Sequence, residues 1–165
     1  MSTGNPLGLM LPAMPAIQLA GSSELAKPPM MLITGIVDDS GSIRSCDNDD
    51  AIRIGHNGQL DSYAGSPHVV LVKTRYLNGH VLSGYCKPED AVRMDHRNYN
   101  PDKGTPLYQQ SRMALEEVEA AAAGFMPQYD VFTMSYIMTD GANTGPGSAD
   151  DVRVVHLPFS LYSVS

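Results

Sequence analysis

Basic residues are scarce and scattered: eleven Lys and Arg stand against eighteen Asp and Glu, for a formal charge of -7. Without a basic stripe or patch there is nothing to neutralise a phosphate backbone, so nucleic acid is not expected as a partner. The acidic balance favours solubility and attraction of cations. Cysteine is almost absent. Cys46 and Cys86 lie far apart and outside any CxxC pair, which argues against a disulfide framework and against structural zinc. Reduced thiols in a cytoplasmic protein are the simpler expectation. No run of 18 apolar residues occurs, so no membrane span is expected. Residues 1–23 carry no charge, and "LGLMLPAMPAIQLAG" imitates the apolar part of a secretion signal. It lacks a basic leader, and Pro12 and Pro15 interrupt it. "LAGS" at 19–22 also lacks the cysteine of a lipoprotein signal. The first segment, residues 1–28, therefore reads as an extended, poorly ordered Pro/Gly/Ser-rich arm, followed by one domain over residues 29–165.

What is present is an alternation of strand and helix patterns. Apolar residues make up 42 % of the chain, ordinary for a globular domain, and 165 residues suffice for a core without covalent staples. Met30 to Val37 is a continuous, β-branched-rich run, the pattern of a strand buried on both faces of a parallel sheet. Residues 47–62 suit a helix whose first turn is loaded with acids, although Gly55 and Gly58 weaken it. In "HVVLVKTRYLNGHVLSGYC" two strand patterns, 69–77 and 80–85, flank Asn78-Gly79. That dipeptide suits a two-residue type I′ hairpin; the second strand should lie at an edge. A helix is expected over 105–123, with Thr105 as N-cap, Pro106 first and Gly124 at its end. "YDVFTMSYIM", 129–138, reads as a second core strand; 150–156 as a short helix; and Leu157 to Ser165 as a strand. Together these predict an α/β layered fold with a mostly parallel sheet. Ligands of such sheets sit at the carboxyl ends of the strands, where Asp38 and Asp140 would share one rim.

That placement gives meaning to "DDSGS" at 38–42. An apolar strand ending in two carboxylates needs compensation for their charge. In an extended loop Asp38, Ser40 and Ser42 would project the same way, and one carboxylate with two hydroxyls suits a hard cation such as Mg²⁺. Thr105 and Asp140 would add a hydroxyl and a second carboxylate from two other loops. Asp39, between them, would point away toward solvent or support the others. Each motif has a plainer reading. Ser40 and Ser42 could form a turn that caps the next helix, Thr105 could be only an N-cap, and Asp140-Gly141 only a turn. The loop holding Asp95, Asn98, Asn100 and Asp102 imitates a calcium loop but lacks its register and terminal Glu. "TGPG" at 144–147 lacks the Lys and Ser of a phosphate loop, and the five histidines show no ligand spacing.

Taken in order, D-x-S-x-S at 38–42, Thr105 in "GTPLY" and Asp140 in "TDG" resemble the metal-ion-dependent adhesion site of von Willebrand factor type A domains. The gaps of 63 residues from Ser42 to Thr105 and 35 from Thr105 to Asp140 suit that fold, and the resemblance covers about residues 30–156. It implies a three-layer, Rossmann-like fold, mostly parallel with one antiparallel edge strand. It also implies Mg²⁺ or Mn²⁺ held by Asp38, Ser40, Ser42, Thr105 and Asp140. Ser40 and Ser42 would bind the ion directly and Asp38 directly or through water. Thr105 and Asp140 would exchange direct for water-mediated contact, and an acidic residue of a protein partner would complete the shell. Only 24 residues follow Gly141, fewer than the helix, strand and last helix of that family, so the chain reads as a short or C-terminally truncated version.

An enzyme is not expected, since no His, Cys or Lys base falls within the motifs. The rival is a phosphoryl-transfer domain using Asp38 and Asp39, of receiver or haloacid dehalogenase type. The second would need an acid where Ser40 stands, and the first a lysine after a late strand, where none follows Met138 or Leu157. A structural module without a metal is the third class.

Overall fold

A computed structural model describes residues 26–140 and 143–153. The arm over 1–25, the end of the expected last helix and the strand expected over 157–165 lie outside the described residues. Where the arm joins the domain, residues 26–28 are exposed. They are tied to it by Lys27 Nζ, which donates to the Met126 carbonyl at 2.7 Å, and by the Pro28 carbonyl, which accepts from Asp130 N at 3.0 Å.

The chain runs β1 (Pro29–Val37), α1 (Gly41–Ser45), α2 (Asp49–Tyr63), β2 (Val69–Tyr76), β3 (Val81–Cys86) and a 3₁₀ turn (Pro88–Asp90). It continues through α3 (Leu107–Phe125), β4 (Asp130–Met138) and α4 (Ala149–Arg153). The four strands form one sheet in the order β3-β2-β1-β4. β1 pairs in parallel with β2 and β4, while β2 and β3 are antiparallel. The fold is α/β with a mixed, mostly parallel sheet, as the alternation of patterns predicts, and the hairpin strand lies at an edge.

Side chains alternate across β1, and the two helices divide them. Ile33 packs with Val70, Val72 and Leu60 of α2. Leu32 and Met30 pack with Val131 and Ala122 of α3, and Ile36 with Leu77 and Ala114. This two-sided burial explains why the β1 sequence is apolar without alternation. Both long helices bury one stripe: His56 and Leu60 in α2; Ser111, Ala114, Val118 and Ala122 in α3.

Two local expectations are corrected. α3 begins at Leu107, not Thr105, with Pro106 in the cap position at φ -77°, ψ 58° and no side-chain cap. Thr105 is held elsewhere, as described below, and Gly124 lies inside the helix. The hairpin is not a two-residue type I′ turn. Gly79 N donates to the Tyr76 carbonyl at 2.9 Å and Tyr76 N to the His80 carbonyl at 2.8 Å, so the turn centres on Leu77-Asn78. Gly79 takes the left-handed position, φ 93°, where glycine is free of strain. Leu77 draws the turn back by one residue: it is fully buried, and its N–H donates to the Val37 carbonyl at 2.9 Å.

Candidate functional site at the carboxyl rim

β1 and β4 finish side by side, with Val37 opposite Met138 and Asp38 N donating to the Met138 carbonyl at 2.8 Å. Asp38 and Asp140 therefore stand on the same rim. A second loop, through Asp102 and Lys103, closes on the segment after β1. Ser40 forms a parallel bridge with Lys103, Gly41 N donates to the Lys103 carbonyl at 3.0 Å, and Asp102 N and Lys103 N both donate to the Asp39 carbonyl.

Asp38 is fully buried. One carboxylate oxygen accepts from Ser40 N at 2.8 Å and the other from Thr139 Oγ1 at 2.7 Å. Its backbone carbonyl accepts from the buried Tyr99 hydroxyl. Ser40 stands in the N-cap position of α1 but caps nothing with its side chain. Its Oγ lies 2.8 Å from Ser42 Oγ, and Ser42 Oγ donates to Asp140 Oδ1 at 3.1 Å. The loop is not extended, since Ser42 is already in α1. One turn of helix nevertheless brings the two hydroxyls together. The plainer reading holds in part: Ser40 N closes an Asx turn on Asp38 at the N-cap of α1, but the Ser40 side chain caps no backbone group.

Thr105 is buried at the same rim and pinned by its backbone. Its N–H donates to Thr144 Oγ1 at 2.7 Å, and its carbonyl accepts from Thr144 N at 2.9 Å and Leu107 N at 2.8 Å. Side-chain hydrogen bonds thus link Ser40, Ser42 and Asp140 directly, while Thr105 is held through its backbone by Thr144 and makes no hydrogen bond to them among the described residues.

Asp39 does not face solvent. It is 3 % exposed, and its carboxylate accepts from the backbone and side-chain amides of Asn78. Burial pushes its pKa up to about 6; the Asn78 N–H opposes the rise and the charge of Asp38 adds to it. Asp38 is thus engaged by Thr139, just after β4, and Asp39 by Asn78 in the β2–β3 turn.

Among the described residues no ion pair within 4 Å reaches Asp38 or Asp39. The partners of Asp38 are neutral donors, and a buried carboxylate so placed remains short of compensation. The donor set at this rim consists of carboxylate and hydroxyl oxygens, the chemistry of a hard cation. No three His, Cys, Asp or Glu side chains gather among the described residues. A cation held here would need the serine and threonine hydroxyls.

Several contributors escape sequence reasoning. Tyr99 and Asn78 lie in polar loops with only their residue type to distinguish them, and Thr144 sits in what reads as a flexible turn. Thr139 is visible only as the first residue of "TDG". In the loop that imitates a calcium site, the first part bonds to itself: Asp95 Oδ1 accepts from Arg97 N at 2.7 Å and Asn98 N at 3.0 Å, and Asn98 Oδ1 accepts from Asp95 N at 2.8 Å, while Asn100 accepts from Arg44 and Asp102 pairs with Lys103.

The class is a three-layer α/β domain with an oxygen-lined site at the carboxyl rim of its sheet. No protein-family model matches the sequence, and no curated protein sequence does. Among solved structures the chain is similar to the pilus adhesin SpaC from Lactobacillus rhamnosus GG, in its open conformation, with a TM-score of 0.53 and 22 % identity. The likeness covers 73 % of this chain and 16 % of the adhesin's, and at that identity it concerns the fold alone.

Proposed function

We propose that this chain is a von Willebrand factor type A domain that binds a divalent cation, Mg²⁺ or Mn²⁺, at the carboxyl rim and through it an acidic side chain of a protein partner. The observation that carries the reading is the Ser40–Ser42–Asp140 relay beside the fully buried Asp38, at 2.8 and 3.1 Å. Asp38, Ser40, Ser42, Thr105 and Asp140 would hold the ion, which would supply the charge that Asp38 lacks and an open coordination position for a carboxylate. We take the role to be binding, since among the described residues the rim brings no base against a nucleophile. That a solved structure of similar fold is a pilus adhesin supports an adhesive or interaction role. The phosphoryl-transfer alternative draws no support from the geometry, since Asp38 and Asp39 face different partners.

We place the protein in the cytoplasm, on the support of two free cysteines, Cys46 exposed and Cys86 half-buried. Among the described residues no helix is long and apolar enough to cross a membrane.

The test is a thermal-shift titration of the full chain with Mg²⁺, Mn²⁺ and Ca²⁺. A ligand of the native state at ten times its Kd contributes about 1.4 kcal/mol, or about 3–5 °C in a domain of this size. Ser42→Ala and Asp140→Ala, both at exposed positions, should keep the fold and lose the shift, and Asp95→Ala should keep it. An equal response in wild type, Ser42→Ala and Asp140→Ala would end the adhesion-site reading.

A further inference from the structure

Beside the rim, on the Asp39 side, lies a polar cavity of about 240 Å³ that the metal reading does not use. Asp39, Asp102 and Lys103 are among the residues that line it. One wall is aromatic: the Tyr76 and His80 rings stack with centroids 5.7 Å apart and planes 29° from parallel. Two cations stand beside the cavity and both are engaged: Lys103 Nζ pairs with Asp102 at 2.8 Å, and Arg44 donates to Oδ1 of the lining residue Asn100. Asp39 is held in place by Asn78, a neutral partner that fixes its orientation without cancelling its charge.

We infer that this cavity is a receptor for a basic side chain, a guanidinium or ammonium group, carried by the same protein partner. A buried, oriented carboxylate in the lining of an open cavity, with a second carboxylate and a ring face beside it, matches a cationic head group. Guanidinium fits best, because it donates in a plane and stacks on aromatic faces. Asp38 is engaged by Thr139, just after β4, whereas Asp39 is engaged by Asn78 in the β2–β3 turn. The two sites are thus neighbours, joined by the bridge between Ser40 and the cavity-lining Lys103. An extended segment could therefore place an acid at the metal and a base at Asp39. The cavity's chemistry stands alone; that its ligand is a residue of a protein partner rests on the function proposed above.

The experiment separates the two. The isotopically labelled full chain, in EDTA, is titrated with N-acetyl-arginine amide, and with N-acetyl-glutamine amide as the neutral control, while NMR follows the Asn78 amides and the His80 ring. Arginine amide should give saturable shifts at these groups that glutamine amide does not. Ser42→Ala should leave them unchanged, and the isosteric Asp39→Asn should abolish them. Asp102→Asn, at the exposed mouth, should weaken binding several-fold, and Lys103→Ala should strengthen it. Equal shifts with both amides, no saturable shift, or full binding by Asp39→Asn would overturn the inference. So would Mg²⁺ or Ca²⁺ producing these shifts in Ser42→Ala, which would make the cavity a second ion site. In Mg²⁺, a peptide carrying both acid and base should bind more tightly than arginine amide. If arginine amide binds in EDTA but Mg²⁺ adds nothing to the peptide, the metal reading fails and the cavity stands.

Discussion

β2 and β4 flank β1 with nearly identical backbone pairing, eight and nine registered residue pairs respectively, yet their surroundings differ sharply. β2 buries Val70, Val72, Thr74, Arg75 and Tyr76, and is covered by α2, by the turn over Pro88–Asp90 and by its own hairpin partner. Along β4 only Val131 is buried, while Phe132, Met134 and Ile137 are 50, 39 and 43 % exposed among the described residues. Pairing in a sheet and burial of its side chains are separate contributions: the ladder satisfies backbone groups on both flanks, but the hydrophobic gain accrues mainly on the β2 side. The polar groups follow the same division. On the β2 side Arg75, 2 % exposed, pairs with Glu117 at 2.7 Å and donates to Gln110 at 2.6 Å, and His56 Nε2 lies 2.9 Å from Thr74 Oγ1.

The contrast can be broken or sharpened by substitution. The largest effect should come from the centre. Leu32, fully buried between the flanks and against α3, should cost about 3 kcal/mol as Leu32→Ala, through lost transfer energy and the cavity left behind. Urea unfolding would measure it. A loss below 1 kcal/mol would mean that the core is not centred on β1.

A smaller, pH-dependent effect belongs to the β2 flank alone. Burial lowers the His56 pKa below its ordinary 6.5, the charge of Arg93 acts in the same direction, and Asn57 opposes both. Above pH 6.5 both folded and unfolded states are neutral there, so His56 contributes no pH dependence. As pH falls below 6.5 the unfolded chain takes up the proton and the native state does not. Stability then declines by up to about 1.4 kcal/mol per pH unit until the lowered native pKa is reached. Asp39, with its pKa raised to about 6, acts in the opposite sense below pH 6. The quantity to read at pH 7.5, 6.0 and 5.0 is therefore the difference between wild type and His56→Gln, which should move steadily against wild type as pH falls. Parallel curves would show that His56 titrates normally.

The smallest effect should fall on β4. Phe132→Ala, at a half-exposed position, should change stability by less than about 1 kcal/mol, well under Leu32→Ala. A loss as large as that of Leu32→Ala would show that Phe132 is covered in the full chain.

The sequence by itself determined the chain order of the four strands and two long helices, the strand pattern of β1 and the edge position of β3, but not α1, where it expected an extended loop. Hydrophobic period, turn glycines and strand-end polar residues are local signals, and they survive without neighbours. It placed the start of α3 and the hairpin turn wrongly, because each was decided by a contact far along the chain. Thr105 is held by Thr144 instead of capping a helix, and Leu77 is drawn into the core beneath the turn. Only the tertiary structure could turn Asp39 inward onto Asn78, thirty-nine residues away, or join Ser42 to Asp140 across ninety-eight. Residue type shows that a carboxylate or hydroxyl is available. Which groups meet it, and whether water can reach it, depends on how the strands and loops pack, and at this rim that decides what each aspartate can bind.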